Sequence, residues 1–172
     1  MLLSDSGGLI HLDQLEPGDI LLTLFDPFMI WSYPIWFATR SKYIHSTLYV
    51  GDGKEWSIDW NGSSLRPVGT DRWQRVFRPN DYAVARAAAE FAKSDKGRVT
   101  GYNLEGAVWQ GIQSLGGVQQ RTPLPWKTKA KFCSEGTTDI FVYLKGDIVP
   151  DLETGVVLPG DIDRPQTLAY SL

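Results

Sequence analysis

The chain predicts an α+β fold in which a small antiparallel sheet comes first and helices follow. Three observations predict it. Short strand-like runs separated by Gly, Pro and Asn turns fill the chain up to about residue 78. Helical periodicity takes over after Asn80. The length of 172 residues and the hydrophobic content of 42% suit one domain, residues 1–172, with a single core.

The elements follow in order. HLDQLEPGDILLTLF reads as a polar lead-in, a turn at Pro17-Gly18-Asp19 and a strand from Ile20 to about Phe25. Residues 27–39 are aromatic and contain Pro34, which suits a short helix or an irregular connection. The run KYIHSTLYVGDGKEWSID predicts a strand from Tyr43 to Val50, a tight turn at Gly51-Asp52-Gly53 and a strand from Lys54 to Asp59. Alternation then puts His45 on one face with Tyr43, Thr47 and Tyr49, and Glu55, Ser57 and Asp59 together on the next strand. Asn61-Gly62 signals another hairpin, and two short strands are expected near 64–68 and 73–78.

Asn80-Asp81 can cap a helix whose apolar face is read as Val84, Ala87, Ala88, Phe91 and Ala92. A second stripe, Leu104, Ala107, Val108, Gly111, Ile112 and Leu115, predicts a helix capped by Asn103. Residues 116–130 are loop-like, and a third helix starts near Cys133 and ends at Gly146. The tail beyond Asp147 is punctuated by Pro and Gly.

Composition narrows the function. With 17 Lys and Arg against 20 Asp and Glu, the chain has no electrostatic case for nucleic acid as a partner. The first ten residues lack a basic start and a long apolar stretch, and no apolar run approaches the ~18–20 residues of a membrane-spanning helix. A cytoplasmic or phage-associated protein is expected. One cysteine cannot form an internal disulfide, and two histidines with one cysteine make a poor metal set, so neither metal nor cofactor is expected.

That single cysteine, Cys133 in KFCSEGTTDIF, falls at a predicted helix start, where unpaired N–H groups and the helix dipole favour a thiolate. Lys127, Lys129 and Lys131 precede it and add positive potential, while Glu135 opposes a second negative charge. A thiol nucleophile needs a base. His11 lies in the lead-in, and His45 sits on a strand, which is the more rigid mount.

Three separated stretches, EPGDILL, ATRSKYIHSTLYVGDGKEWSID and FCSE, resemble the permuted papain-like hydrolases of the YaeF/YiiX type. Those are relatives of the NlpC-type peptidases and of the lecithin:retinol acyltransferase group. The resemblance covers roughly residues 12–145 and includes the permuted order, histidine strand before cysteine helix. It implies a circularly permuted papain-like fold, a Cys133 nucleophile and a His45 base. It also implies a third polar residue twelve positions after the histidine. Here that position is Ser57, where relatives have His or Glu, with Glu55 or Asp59 as alternatives reached through a register shift.

The implied chemistry is hydrolysis of an amide bond, in a cell-wall peptide or a fatty amide, through an acyl-enzyme. The backbone N–H groups of Cys133 and Ser134 are expected to hold the oxyanion. Tyr102, Trp31 and Trp36 are candidates for a substrate groove, and the aromatic run from Phe28 to Phe37 for an apolar wall or a contact with a membrane surface. Two alternatives stay open: an inactive peptide- or lipid-binding module, and a lipid acyltransferase or phospholipase.

Overall fold

The computed structural model describes residues 2–3, 9–30, 32–39, 41–71, 73–103 and 131–144. Seven strands form one sheet among these residues: β1 (Leu2–Leu3), β2 (Leu9–Ile10), β3 (Ile20–Leu24), β4 (Tyr43–Gly51), β5 (Lys54–Asp59), β6 (Gly62–Pro67) and β7 (Gln74–Phe77). Their order is β2-β1-β7-β3-β4-β5-β6. The five strands from β7 to β6 are antiparallel throughout, and only the short β1 runs parallel to its neighbour β7. The helices are α1 (Ser32–Thr39), α2 (Tyr82–Lys93) and α3 (Cys133–Tyr143). The α+β class expected from the sequence is therefore present. The predicted helix at 104–115, the loop at 116–130, the tail beyond Asp147 and Trp31 lie outside the described residues.

The EPGD stretch acts as a structural clasp. Gly18 has φ +103°, and a Cβ there would come within 2.3 Å of the Ala85 carbonyl oxygen of α2, so only glycine fits. The Asp19 carboxylate, 1% exposed, accepts from Arg78 Nε at 2.8 Å and from Nη2 at 2.9 Å. The same guanidinium donates to Glu16 at 2.8 Å. One forked cation thus ties the turn before β3 to the end of β7.

The hairpin between β4 and β5 turns at Gly51, Asp52 and Gly53, whose φ angles of 94°, 53° and 67° are all positive. This is the conformation that Gly and Asp tolerate best. β4 has two register irregularities. Thr23 pairs with His45 and Leu24 with Tyr43, so Ile44 is an extra residue opposite β3. Tyr49 pairs with Glu55 and Gly51 with Lys54, so Val50 is extra opposite β5. The first bulge corrects the expected face of β4: Tyr43 does not share a face with His45. It packs instead edge-on to Phe77, ring centroids 6.0 Å apart, in the helix-side core.

α2 and α3 cover one face of the sheet. Ile20, Leu22, Leu48, Val50, Trp56, Ile58 and Phe77 meet Ala85, Ala88, Ala89, Ala92, Ile140 and Phe141 there. Each large side chain buried in such a core is worth about 1.5–3 kcal/mol. The buried face of α2 is Ala85, Ala88, Ala89 and Ala92, one position round from the face expected. Ala87 is exposed, and Val84 and Phe91 stand at its margins. The contact at Gly18 explains the shift, because the helix approaches too closely for larger residues at Ala85. Asp81 caps α2, its carboxylate accepting from the Val84 N–H at 3.0 Å. Pro34 fits within the first turn of α1, where a missing N–H costs nothing.

Candidate active site

α3 begins beside the bulged start of β4, and its first turn is held from several directions. Phe132 precedes the helix, and its N–H donates to Glu135 Oε2 at 3.1 Å, the backward half of a capping box. Thr137 Oγ1 donates to the Cys133 carbonyl at 3.0 Å and bonds Ser46 Oγ of β4 at 3.2 Å. Gly136 lies over Trp56 and Ile58, where a Cβ would come within 2.2 Å of Ile58 Cδ1. Cys133 is thereby mounted on a first turn pinned to the sheet. It is free and 5% exposed, and the His45 side chain is the neighbour that most lowers its pKa.

The two groups shift each other's protonation. Burial alone would push the Cys133 thiol up, but the His45 charge, its hydrogen bond and the backbone N–H groups of Ser46 and Ser134 bring it below the ordinary 9.0. Burial likewise pushes the imidazole down, yet the Cys133 thiolate and its hydrogen bond, with Asp71, hold it above 6.5 against the opposing charge of Arg66. Each group favours the charged form of the other, the electrostatics of a thiolate–imidazolium pair. The Ser134 N–H, expected to serve an oxyanion, lies in reach of the sulfur itself.

Ser57 is the third polar group. His45 Nε2 lies 2.9 Å from Ser57 Oγ, and the Ser57 hydroxyl donates to Asp59 Oδ1 at 3.3 Å. Glu55, the other expected alternative, is corrected: no hydrogen bond from it to His45 is found, and its fully buried carboxylate is taken up elsewhere. It accepts from Arg66 Nε at 2.7 Å, Gln74 Nε2 at 2.8 Å and Thr47 Oγ1 at 3.0 Å. Arg66 also reaches Asp71 at 2.6 Å, and Asp71 accepts from Thr23 Oγ1 at 2.8 Å. The bulges lie on β4 and leave β5 in regular register with β6, and Asp59 is linked to His45 through the Ser57 hydroxyl.

Other expected residues fall as follows. Tyr102, expected in a substrate groove, lies within electrostatic reach of Cys133: burial raises its hydroxyl pKa, and Cys133, Asp59 and Glu135 add negative charge in the same direction. Its ring packs against Trp60, centroids 5.2 Å apart, and Trp60 is 66% exposed. Trp36 sits on exposed α1 against Phe25, ring centroids 5.5 Å apart. His11 is exposed and takes part in the first single-turn helix, at Leu12–Gln14. Lys131 pairs with Asp139 and lies 4.0 Å from Glu135. Lys127 and Lys129 lie outside the described residues. Arg66, Asp71 and the Ser46 N–H escaped the sequence reading. The Glu55–Arg66 pair follows from hairpin alternation across β5 and β6, whereas Asp71 sits in a loop that no periodicity points to.

Among the described residues, no group of three His, Cys, Asp or Glu side chains is arranged to hold a metal ion, and no helix is long and apolar enough to cross a membrane. Compared with known proteins, the chain matches no family model and no curated protein.

Proposed function

We propose that this chain is a cysteine-dependent hydrolase of amide bonds with a circularly permuted papain-like fold. The observation that carries the reading is the coupling of Cys133 at the start of α3 with His45, the imidazole itself bonded to Ser57, with the thiol lowered and the imidazole raised. The Cys133 sulfur attacks a carbonyl carbon and forms a tetrahedral intermediate. His45 returns its proton to the leaving amine, and an acyl-enzyme remains. Water, deprotonated by His45, then releases the acid and restores the thiol. The N–H groups of the first turn of α3 supply the positive end of the helix to the developing oxyanion.

The substrate classes are a peptide amide, as in cell walls, and a fatty amide. An uncharged, exposed run favours the lipid arm and contact with a membrane surface: Phe28 (84% exposed), Ile30 (79%) and Phe37 (67%), with Tyr33 and Trp36. The same run keeps a second reading in view, a lipid acyltransferase or phospholipase. Ser57 bonds His45 but supplies no charge of its own, so an inactive peptide- or lipid-binding module on the same fold is the competing outcome of the test.

The test is a panel of N-acyl amides, phospholipids and cell-wall peptides offered to the wild type and to Cys133→Ser and His45→Ala. Release of acid from an amide by the wild type alone is expected. Turnover that survives Cys133→Ser would overturn the proposal.

A further inference from the structure

The hydroxyl between His45 and Asp59 has only one hydrogen to give. In this geometry it goes to Asp59 Oδ1, 3.3 Å away. Ser57 Oγ therefore faces His45 Nε2, 2.9 Å away, with a lone pair, and Nε2 must bring the hydrogen. A proton fixed on Nε2 leaves Nδ1 as the ring nitrogen able to take a proton from Cys133. The reverse tautomer would present an N–H to the thiol and could not act as its base.

We infer that Asp59, acting through the Ser57 hydroxyl, is the positioning residue that sets the His45 tautomer and completes a Cys133–His45–Ser57–Asp59 relay. Serine alone carries no charge and can turn its hydroxyl either way. An adjacent carboxylate, which can only accept, removes that freedom. The surroundings keep Asp59 available for this task. Four charged groups act around the imidazole: Cys133 from α3, Arg66 from β6, Asp71 from the loop after β6, and Asp59 from β5 through Ser57. Arg66 is the cation among them, and it is held by Glu55 at 2.7 Å and Asp71 at 2.6 Å. It stands 4.0 Å from Asp59 Oδ1. Three carboxylates thus share one guanidinium, and the cluster behind His45 stays net anionic, which suits an imidazolium. The Asp59 side chain is 45% exposed, so water screens its charge and the effect is moderate. This moderates its electrostatic help, but not its role as a hydrogen-bond acceptor.

The inference rests on the thiol-hydrolase reading for its catalytic meaning, and the experiment separates the two. Nitrogen-15 NMR of His45 in Cys133→Ala protein, at a pH where the ring is neutral, reports the tautomer without any reactive thiol. A single Nε2–H form is expected, giving way to a mixture in both Asp59→Ala and Ser57→Ala on that background. An unchanged tautomer in Asp59→Ala would overturn the relay, whatever the thiol does.

The second leg is iodoacetamide alkylation of Cys133 in the single and double variants. Asp59→Ala and Ser57→Ala should each slow it about 5-fold near neutral pH, and the double variant no further than Ser57→Ala alone. Independent losses that multiply in the double variant would show Asp59 acting past Ser57 and would sink the relay. A rate unchanged in Asp59→Ala would do the same. If instead wild-type Cys133 reacts no faster than in the unfolded chain, the hydrolase reading fails while the NMR result still decides the role of Asp59. Thermal melts confirm that each variant is folded.

Discussion

The two faces of the sheet are built on opposite principles. The helix side is an apolar seam in which Ile20, Leu22, Leu48, Trp56, Ile58 and Phe77 pack on α2 and α3, and shape decides the fit. On the other side, beyond a small apolar cluster of Leu2, Leu15, Leu21, Tyr49 and Val76, lie buried Thr23, Thr47, Glu55, Ser57 and Gln74. Here charge and hydrogen bonding decide. Burying so many polar groups is costly unless each finds a partner, so the network around Glu55 and Arg66 does more than fill space. It fixes the ground on which His45 and Asp59 stand. The helix side supplies rigidity and the Cys133 mount, and the polar side supplies the electrostatics. The proposed chemistry sits where the two meet, at the bulged start of β4.

That contrast can be broken from either side. Phe77→Ala should do the most damage, lowering the unfolding free energy by about 3–5 kcal/mol in urea titrations, because it opens a cavity in a dry seam. Glu55→Ala is expected to cost about 3 kcal/mol in the same titration, because it takes a buried acceptor from Thr47 and Gln74 and one of the two close carboxylates from Arg66. A cost under about 1 kcal/mol would mean that water has replaced Glu55 and that the polar face is not a closed network. His45→Ala should separate site from scaffold, slowing Cys133 alkylation near neutral pH about 100-fold while the melting curve hardly moves.

The smallest effect is expected at Glu135, whose carboxyl is pushed up chiefly by burial, with Lys131 and the Phe132 N–H opposing. A carboxyl raised in the folded state binds its proton more tightly than in the unfolded chain. Stability therefore falls as pH rises from the ordinary 4.5 through the folded value. Glu135→Gln keeps the cap acceptor and abolishes this fall, so paired melts below and above that pH should diverge in favour of the variant as pH rises. Parallel curves would remove the burial argument.

The hairpins were legible because their turns are written in residues with positive φ: Gly51-Asp52-Gly53 and Gly62 lie where the strands reverse. The cap at Asp81 and the start of α3 at Cys133 were legible for the same local reason. Faces were less so. The alternation on β4 fails at Ile44, because a bulge depends on the partner strand and leaves no mark in a single strand's sequence. The buried stripe of α2 was displaced by a contact with Gly18, some 67 positions earlier, that no helical period encodes. At the site, Cys133, His45 and Ser57 could be named from spacing and resemblance. How Ser57 works could not, because its meaning depends on whether Glu55 or Asp59 is free to receive its hydrogen, and Arg66 decides that from another strand.

The central claim is that Cys133 and His45 form a thiolate–imidazolium pair, and the pH dependence of Cys133 alkylation tests it most directly. A folded-state thiol pKa below the ordinary 9.0 means that reactivity persists as pH falls below that value, down to the folded pKa. The imidazole, raised above 6.5, keeps its proton to higher pH than a free imidazole does. The account predicts rapid iodoacetamide labelling across neutral pH in the folded chain, with an acid midpoint well below that of the same chain unfolded in urea. Coincident midpoints and rates in the folded and unfolded chains would contradict it.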